Sequence, residues 1–468
     1  MRFTTRAIAL LVLCFLAIAD EVRAQDAHYW QIRPGSRESL LGGADTAALS
    51  SSSAGYYNPA RLSFIPGNGF SVSAHAYQME ELTINNGLGG GDDIDSRRFF
   101  SLPTMGSGLF SFTETSRHTF GYTMLTRRRY NANASGARQF TGDVQPAITG
   151  DEQFSGRFQF QESMLDAWIG TSWAMRINEN WGIGLTQFFC LIDQESRIES
   201  RAHSVADNGH ISSSYLRQEF GFAHLRTLSK LGVSWQKESW SAGLTLTAPS
   251  ISLSGSGYLD FELAIIDIDS DGDSVPESEA LIFRKEGLSS NYREPFSISI
   301  GVSKEFRDFA LHGTIEYFAP LSRYNVFASE EQRTQVSNSP ARYEFSHRSI
   351  TVVNLAIGAE TQLGQKTRGY ASFRTDFSAL SSSKRTGESG SDVALATWDI
   401  FHIAAGVSMD REYFSLALGL QFSWGNGPLG QPANFSAPRE SNYLQGRTGR
   451  ADAVYRAFTV LFGYTYVF

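Results

Sequence analysis

The sequence predicts an all-β protein, a 14-stranded antiparallel transmembrane β-barrel. Three observations predict it. Apolar and polar residues alternate with period two through many segments. Short polar turns and long polar loops take turns as connections. The two ends of the chain carry the marks of an outer-membrane protein.

The leader comes first. Arg2 and Arg6 form a positive start, Ala7 to Ala19 is apolar, and Glu21-Val-Arg-Ala24 ends on a small residue. This is the pattern of a secretory signal peptide over residues 1–24, with cleavage expected before Gln25. The apolar run is shorter than the ~20 residues a membrane helix needs. Composition fits a barrel, because strands that average lipid-facing and lumen-facing positions look no greasier than soluble ones. The formal net charge is −8, and residues 1–24 carry three arginines against two acids, so the mature chain is more acidic still. That balance argues against a nucleic-acid partner. Loss of Cys14 with the leader leaves Cys190 alone, which excludes an internal disulfide and a cysteine-based metal site.

Fourteen strands are expected after residue 67, at about 68–82, 97–114, 118–134, 153–177, 180–203, 211–236, 239–263, 281–306, 308–327, 342–363, 366–379, 394–410, 412–425 and 450–468. In the thirteenth, Phe414, Leu416, Leu418, Leu420, Phe422 and Trp424 share one face. Trp240, Ala242, Leu244 and Leu246 repeat the pattern, as do Phe296, Ile298, Ile300 and Val302, and then Phe401, Ile403, Ala405 and Val407. These faces are expected to meet lipid, with Trp168, Trp173, Trp181, Trp235, Trp240 and Trp424 near the interfaces. The last strand alternates large Phe458, Val460, Phe462, Tyr464, Tyr466 and Phe468 with small Ala457, Thr459, Gly463 and Thr465, and ends on an aromatic residue, like the assembly signal read by the barrel-assembly machinery.

The connections 115–117, 178–180, 236–239, 307–308, 363–366 and 410–412 are tight. Those at 83–96, 135–152, 204–210, 264–280, 328–341, 380–393 and 426–449 are long. An up-and-down barrel with short periplasmic turns and long external loops has this rhythm. The alternate positions then face the lumen: His224, Arg226, Lys230, His312, Glu316, Arg374, Asp376, His402 and Gln421. Closure leaves no unpaired edge in the bilayer.

Residues 25–67 do not read as strands. Gly42-Gly-Ala-Asp-Thr-Ala-Ala-Leu-Ser-Ser-Ser-Ser-Ala-Gly-Tyr-Tyr-Asn58-Pro59-Ala60-Arg-Leu62 is rich in small residues, with a short helix expected near Arg37–Ala47. Small residues suit a segment packed inside something. Pro59 fixes its own φ and biases Asn58 away from helix. This run resembles the N-terminal hatch of the FadL family, outer-membrane transporters of long-chain fatty acids and aromatic hydrocarbons. The resemblance implies fourteen strands, a plug of residues 25–67 inside a barrel of residues 68–468, and an Asn-Pro-Ala motif (Asn58, Pro59, Ala60) that shapes a gate. It implies diffusion without an energy source, and a sideways exit near the third strand, here 118–134, where Gly121 is a candidate kink. The chain departs from many members at Ser50–Ser53, where acids are common, and at Arg61-Leu62 in place of Gly-Leu. A related branch serves protein secretion and attachment.

Candidate sites follow. A pocket for a hydrophobic solute with a carboxylate needs inward apolar side chains and a cation. Phe188, Leu228 and Phe318 supply the first; Arg226 and Lys230 supply the second. In the loop 264–280, Asp269-x-Asp271-Gly-Asp273-x-x-x-Glu277 spaces carboxylates around a glycine turn, as hard cations such as calcium prefer. Its spacing is not that of an EF-hand. Arg127-Arg-Arg129 is expected at the outer rim, facing lipopolysaccharide phosphates. No serine, histidine and acid grouping reads as a catalytic triad, so no enzyme is expected. The alternatives that remain open are a secretion-linked barrel that docks a protein and a general porin.

Overall fold

The computed structural model describes residues 28–47, 51–113, 116–146, 148–273, 275–330, 332–333, 340–341, 343–380 and 398–467. The leader, residues 381–397, which include all but the first residue of the loop expected at 380–393, and Phe468 lie outside them. Fourteen strands run Gly69–Gly89, Asp92–Phe110, His118–Gly142, Glu152–Arg176, Trp181–Val205, Ile211–Lys237, Trp240–Thr247 with Ile251–Ile268, Glu277–Ser289 with Ser297–Glu305, Phe309–Phe318 with Leu321–Ala328, Glu344–Ser349 with Val352–Gly364, Thr367–Asp376, Ile400–Asp410, Phe414–Gly430 and Arg450–Val467. Sequential strands pair antiparallel, and the first pairs with the fourteenth from Gly69↔Val467 to Asn85↔Asp452. The sheet is therefore closed across the membrane, which removes its edges there. The short turns gather at one end. At the other, the long strands three to six reach far beyond the lipid.

The outer surface shows where the lipid ends. On the fifth strand Leu185, Phe189 and Leu191 are exposed, and Asp193 and Glu195 follow. On the fourth the change falls between Leu165 and Ser163, and Leu165 sits opposite Asp193 in the ladder. Trp181 to Leu191 is ten steps of ~3.3 Å on a strand tilted ~40°, about 25 Å of height, the thickness of an outer-membrane apolar band. A closed antiparallel barrel with such a band is an outer-membrane protein.

Inside, the pattern inverts. Below the boundary many inward positions are small or polar, with Trp168, Phe188, Leu228 and Phe318 as exceptions, and they face residues 28–47 and 51–65 of the N-terminal segment, which lies in the lumen as a hatch. Above it they are large and apolar: Phe154, Phe158, Phe160, Met164, Ile192, Phe220, Phe222, Leu259 and Phe261 belong to one buried cluster. The outer halves of strands nine and ten leave the wall as a separate ribbon, Leu321–Ala328 with Glu344–Ser349. That ribbon carries Val326, Phe327 and Phe345 into the same cluster. Phe435 and Leu444 of the loop 431–449 cover it from above.

Several expectations change. The first hairpin has no long loop at 83–96; its strands continue to Gly89 and Asp92, because inward Ile84, Leu88 and Ile94 find partners in the upper cluster. The hatch helix is only Ser36–Leu40, followed by Ala54–Tyr57 and the 3-10 turn Pro59–Phe64. Trp168 is not an interface residue. It points inward, is buried, and donates to Asp166 at 3.0 Å. Trp173, Trp181, Trp235 and Trp240 do lie beside the short turns.

Candidate functional site

The hatch is held by side-chain hydrogen bonds to inward polar residues. Trp30 donates its backbone N–H to Asp376 Oδ1 at 2.9 Å and its indole N–H to Glu316 Oε2 at 2.7 Å. Arg37 donates to Glu360 at 2.8 Å on the wall and to Asp45 at 2.8 Å within the hatch. Thr186 and Thr245 hydroxyls donate to the carbonyls of Gly55 and Tyr57. Burial pushes the Asp45 carboxyl up to about 7 against the pull of Arg37.

Asn58 is the joint of this segment. Its backbone is extended, at φ −153° and ψ 98°, as the following proline demands. Its Oδ1 accepts from Ala60 N at 3.1 Å and caps the 3-10 turn that Pro59 begins. Its Nδ2 donates to Thr46 O at 2.9 Å in the hatch and to Val233 O at 3.1 Å in the wall. Asn58, Pro59 and Ala60 are all buried, so the motif ties two hatch turns to the sixth strand.

A feature the sequence reading missed makes this contact fit. Gly184, Gly232, Gly243 and Gly301 stand on strands five to eight, with Gly184 opposite Gly232 and Gly243 opposite Gly301. A Cβ on any of them would collide with Pro59, Asn58 or Thr46. Glycine inside a strand marks the close approach of another backbone. Isolated glycines at one level of four adjacent strands were the readable signal.

All five proposed ligand residues point inward and are buried. Phe188 and Leu228 pack with Tyr56, Tyr57 and Leu62 of the hatch. Phe318 stacks on Tyr29 at 4.3 Å. Lys230 lies over the ring of Tyr56 at 4.7 Å. Arg226 enters a charge cluster instead: Arg128 and Arg226 each reach Asp166 at 2.8 Å, and Glu294 lies 3.3 Å from Arg128, 3.6 Å from Arg226 and 3.9 Å from Arg127. Arg127 and Arg128 are thus in the lumen, not at the outer rim. A bulge between Thr126 and Arg128 turns both inward. Three guanidinium groups face two carboxylates, and Nε and Nη1 of Arg127 and of Arg226 have no hydrogen-bond partner. The cluster separates the hatch below from the apolar cluster above.

That bulge borders a break in the wall. Strands two and three pair from Met105↔Leu125 to Phe110↔Phe120 and again at Asp95↔Ser135, with no ladder between. Gly121 lies in the regular part, opposite Leu109, so it is not the kink. Across the break, Thr126 Oγ1 donates to Pro103 O at 3.0 Å, and Asn133 N to Ser96 Oγ at 3.2 Å. Arg129 N, left without a strand partner there, donates to Gln31 Oε1 of the hatch at 2.9 Å. Outside the break is a recess of about 420 Å³, lined by Leu102, Pro103, Arg129, Tyr130, Met164 and Leu165 among others. Inside is a cleft of about 10 Å³ that Leu102 and Arg129 also line, together with Gln31 and Phe100. Such a cleft holds no more than one water, so those two side chains shut the passage.

In the acidic loop, carboxylate oxygens of Asp269, Asp271 and Asp273 lie within 4.8 Å of one another. Glu277 is not among them; it accepts from Ser270 N at 3.1 Å and Ser270 Oγ at 3.0 Å. Cys190 is buried in the wall and is the free cysteine of the described residues.

No protein-family model matches the chain, and no curated protein does. Solved structures do. A FadL homologue from Pseudomonas aeruginosa superposes with a TM-score of 0.58 at 11% identity, covering 94% of this chain and 100% of the other. The Ralstonia pickettii toluene transporter TbuX gives 0.57 at 12%, covering 94% and 100%. The Pseudomonas putida toluene transporter TodX gives 0.55 at 12%, covering 96% and 100%. This is the fold of the FadL-type channels.

Proposed function

We propose that this protein is a passive outer-membrane channel for hydrophobic small molecules, with long-chain fatty acids as the finer reading. One observation carries it. The buried apolar cluster beneath the loop 431–449 is continuous with the seam, because Tyr130 and Met164 belong to the cluster and also line the recess outside the break. A greasy solute that enters from outside finds apolar contacts down to the seam, and below the boundary the lipid itself favours it over water. The narrowest point of that route is the cleft that Leu102 and Arg129 line. The hatch closes the straight path to the periplasm. The solved structures of the same fold include two toluene transporters and a FadL homologue, which supports the class of cargo.

The charge cluster supports a head group. A fatty-acid carboxylate beside Arg127 and Arg226 would meet unpartnered N–H groups and offset the one uncompensated positive charge. Phe188, Leu228, Lys230 and Phe318 act in this reading by shaping the hatch rather than by touching the solute. Lipopolysaccharide and the barrel-assembly machinery remain partners implied by the address.

The test is uptake into proteoliposomes. Wild-type protein is expected to speed entry of palmitate and of toluene, and a cross-link that closes the seam is expected to abolish both. Equal uptake with the seam closed would overturn the side route. Swelling in sugars as fast as a porin would overturn the plugged channel.

A further inference from the structure

We propose that the ribbon Leu321–Ala328 with Glu344–Ser349 is a built-in occupant of the lumen, a plug that a hydrophobic solute must displace in order to bind. The proposal rests on the transport reading above and adds its regulation. A strand of a barrel wall is held by ladders on both sides. Among the described residues, no ladder joins either strand of the ribbon to the wall; they pair with each other. The departure has a local cause. Ala319 N still donates to Phe296 O at 2.9 Å, and Pro320 then has no N–H with which to continue the pairing. Beyond that point a backbone hydrogen bond from Asn291 N to Val326 O, at 2.8 Å, ties the ribbon to the strand-eight segment.

The larger hold is an apolar face. Phe345 lies 4.4 Å from Phe220 and 5.9 Å from Phe222, ring to ring, and Phe327 lies 5.8 Å from Phe220. Tyr343, at the start of the second ribbon strand, lies 4.6 Å from Phe261. All of these rings are buried. Phe220, Phe222 and Phe261 belong to the wall, and they are part of the apolar route that the transport reading offers a solute. Apolar contact is non-directional, so a hydrocarbon can take the place of the ribbon's rings on that wall.

The root of the ribbon covers the charge cluster as well. Tyr292 lies over Arg226 at 5.2 Å and over Arg128 at 5.6 Å. The ring of His347 lies 5.6 Å from Tyr292 and 5.6 Å from Tyr324, whose Oη accepts from Arg293 N at 3.0 Å. One element thus occupies the apolar wall and, through Tyr292, caps the guanidinium groups. A docked ribbon and a bound solute exclude each other. The apparent affinity for solute is then the intrinsic affinity scaled by the fraction of molecules whose ribbon is undocked.

The experiment locks the ribbon and loosens it. Lys285 Nζ on strand eight lies 3.4 Å from Glu330 Oε2, just past the first ribbon strand, and both side chains reach water. Lys285→Cys with Glu330→Cys, joined by a short bis-methanethiosulfonate linker, pins the ribbon down, and a reductant frees it. Phe327→Ser with Phe345→Ser loosens it. A heat-modifiability gel confirms that each barrel is folded. Linking is expected to slow proteoliposome uptake of palmitate and of toluene about tenfold, with recovery on reduction, and the loosened variant in nanodiscs is expected to bind palmitate about tenfold more tightly. Palmitate is also expected to speed amide hydrogen exchange in 321–328 and 344–349 of the wild-type protein, where a fixed binding wall would be protected. Uptake unchanged by the linker, weaker palmitate binding by the loosened variant, or slower exchange in the ribbon each overturns the plug while leaving transport standing. Wild-type protein that moves neither palmitate nor toluene overturns the transport reading itself, and the plug with it.

Discussion

Asn58→Asp is the sharpest test of the hatch. The two side chains are isosteric, so packing is unchanged. Aspartate keeps the oxygen that accepts from Ala60 N at 3.1 Å, so the cap of the 3-10 turn survives. What changes is the amide nitrogen. An oxygen takes its place, 2.9 Å from Thr46 O and 3.1 Å from Val233 O, at a fully buried position. Two donated hydrogen bonds become two contacts between acceptors, and an ionised carboxylate there is buried without a partner. Each lost bond with an unsatisfied group costs about 1–3 kcal/mol, and an uncompensated buried charge about 3–5 kcal/mol. Protonation caps the second figure, so we expect about 3–4 kcal/mol against docking. At ~1.4 kcal/mol per decade the undocked population rises by two to three orders of magnitude. The wall is untouched, and the barrel should assemble. The assay is limited trypsinolysis at neutral pH, reading cleavage after Arg33 and Arg37, with single-channel conductance alongside. Asn58→Ala, which loses the cap as well but adds no charge, should fall between wild type and Asn58→Asp. An Asn58→Asp protein whose hatch resists trypsin as wild type does, with unaltered uptake, would refute the joint.

Other outcomes follow from the same contacts. Gly243→Val should expel the hatch without harming the barrel, since the new side chain meets the backbone of Thr46; channel conductance should rise. Gln31→Ala removes the acceptor of Arg129 N, and a buried orphan donor costs about 1–3 kcal/mol, so the seam should open more often and palmitate uptake should change while the apolar band is intact. Asp45, held near pKa 7 when docked, ionises at its ordinary acidic value when released; the docked form therefore holds the extra proton between about pH 4 and pH 7. Docking should weaken as pH rises through that window and level off above it, which the trypsin assay can follow, with Arg37, Glu38, Glu360 and His312 as the neighbouring charges. Calcium at millimolar concentration should slow cleavage of the loop at Asp269–Asp273 if its three carboxylates take a hard cation; Asp271→Asn should remove that protection, and Glu277→Gln should not.

The wall was legible because lipid imposes one rule on every strand. Phe414, Leu418, Leu420 and Phe422 had to face out together, and they do. The inward direction of His224, Arg226, His312, Arg374 and His402 followed from the same alternation, and all are buried in the lumen. The upper apolar cluster was not legible by that rule, because the rule reverses there. On the fourth strand Leu165, Ala167 and Ile169 face lipid, but beyond the membrane Phe154, Phe158, Phe160 and Met164 take the opposite phase and face in. Water now wets the outside, so the apolar face moves to the interior. A one-residue change of phase at Met164-Leu165 is the mark of the membrane's edge, and it is visible in the sequence once the two halves are read separately.

The seam shows where local pattern gives way to pairing. Whether strands two and three hydrogen-bond to each other depends on how the bulge at Thr126–Arg128 bends one of them, and a bulge is a property of register rather than of composition. Yet one residue did announce it. Pro103 lies in the interior of the second strand, where it donates nothing to a ladder, and such a proline belongs beside an edge or a bulge. In a barrel closed across the membrane, a mid-strand proline therefore predicts a break in the wall, and here the break begins next to it, between Thr104 and Met105 on one strand and Leu125 and Thr126 on the other. Gly121 failed as a kink because glycine permits a bend, but its ladder partner Leu109 holds it straight. A proline withholds a donor from the ladder, so pairing stops beside it, and within the unpaired stretch Arg129 N donates to the hatch instead.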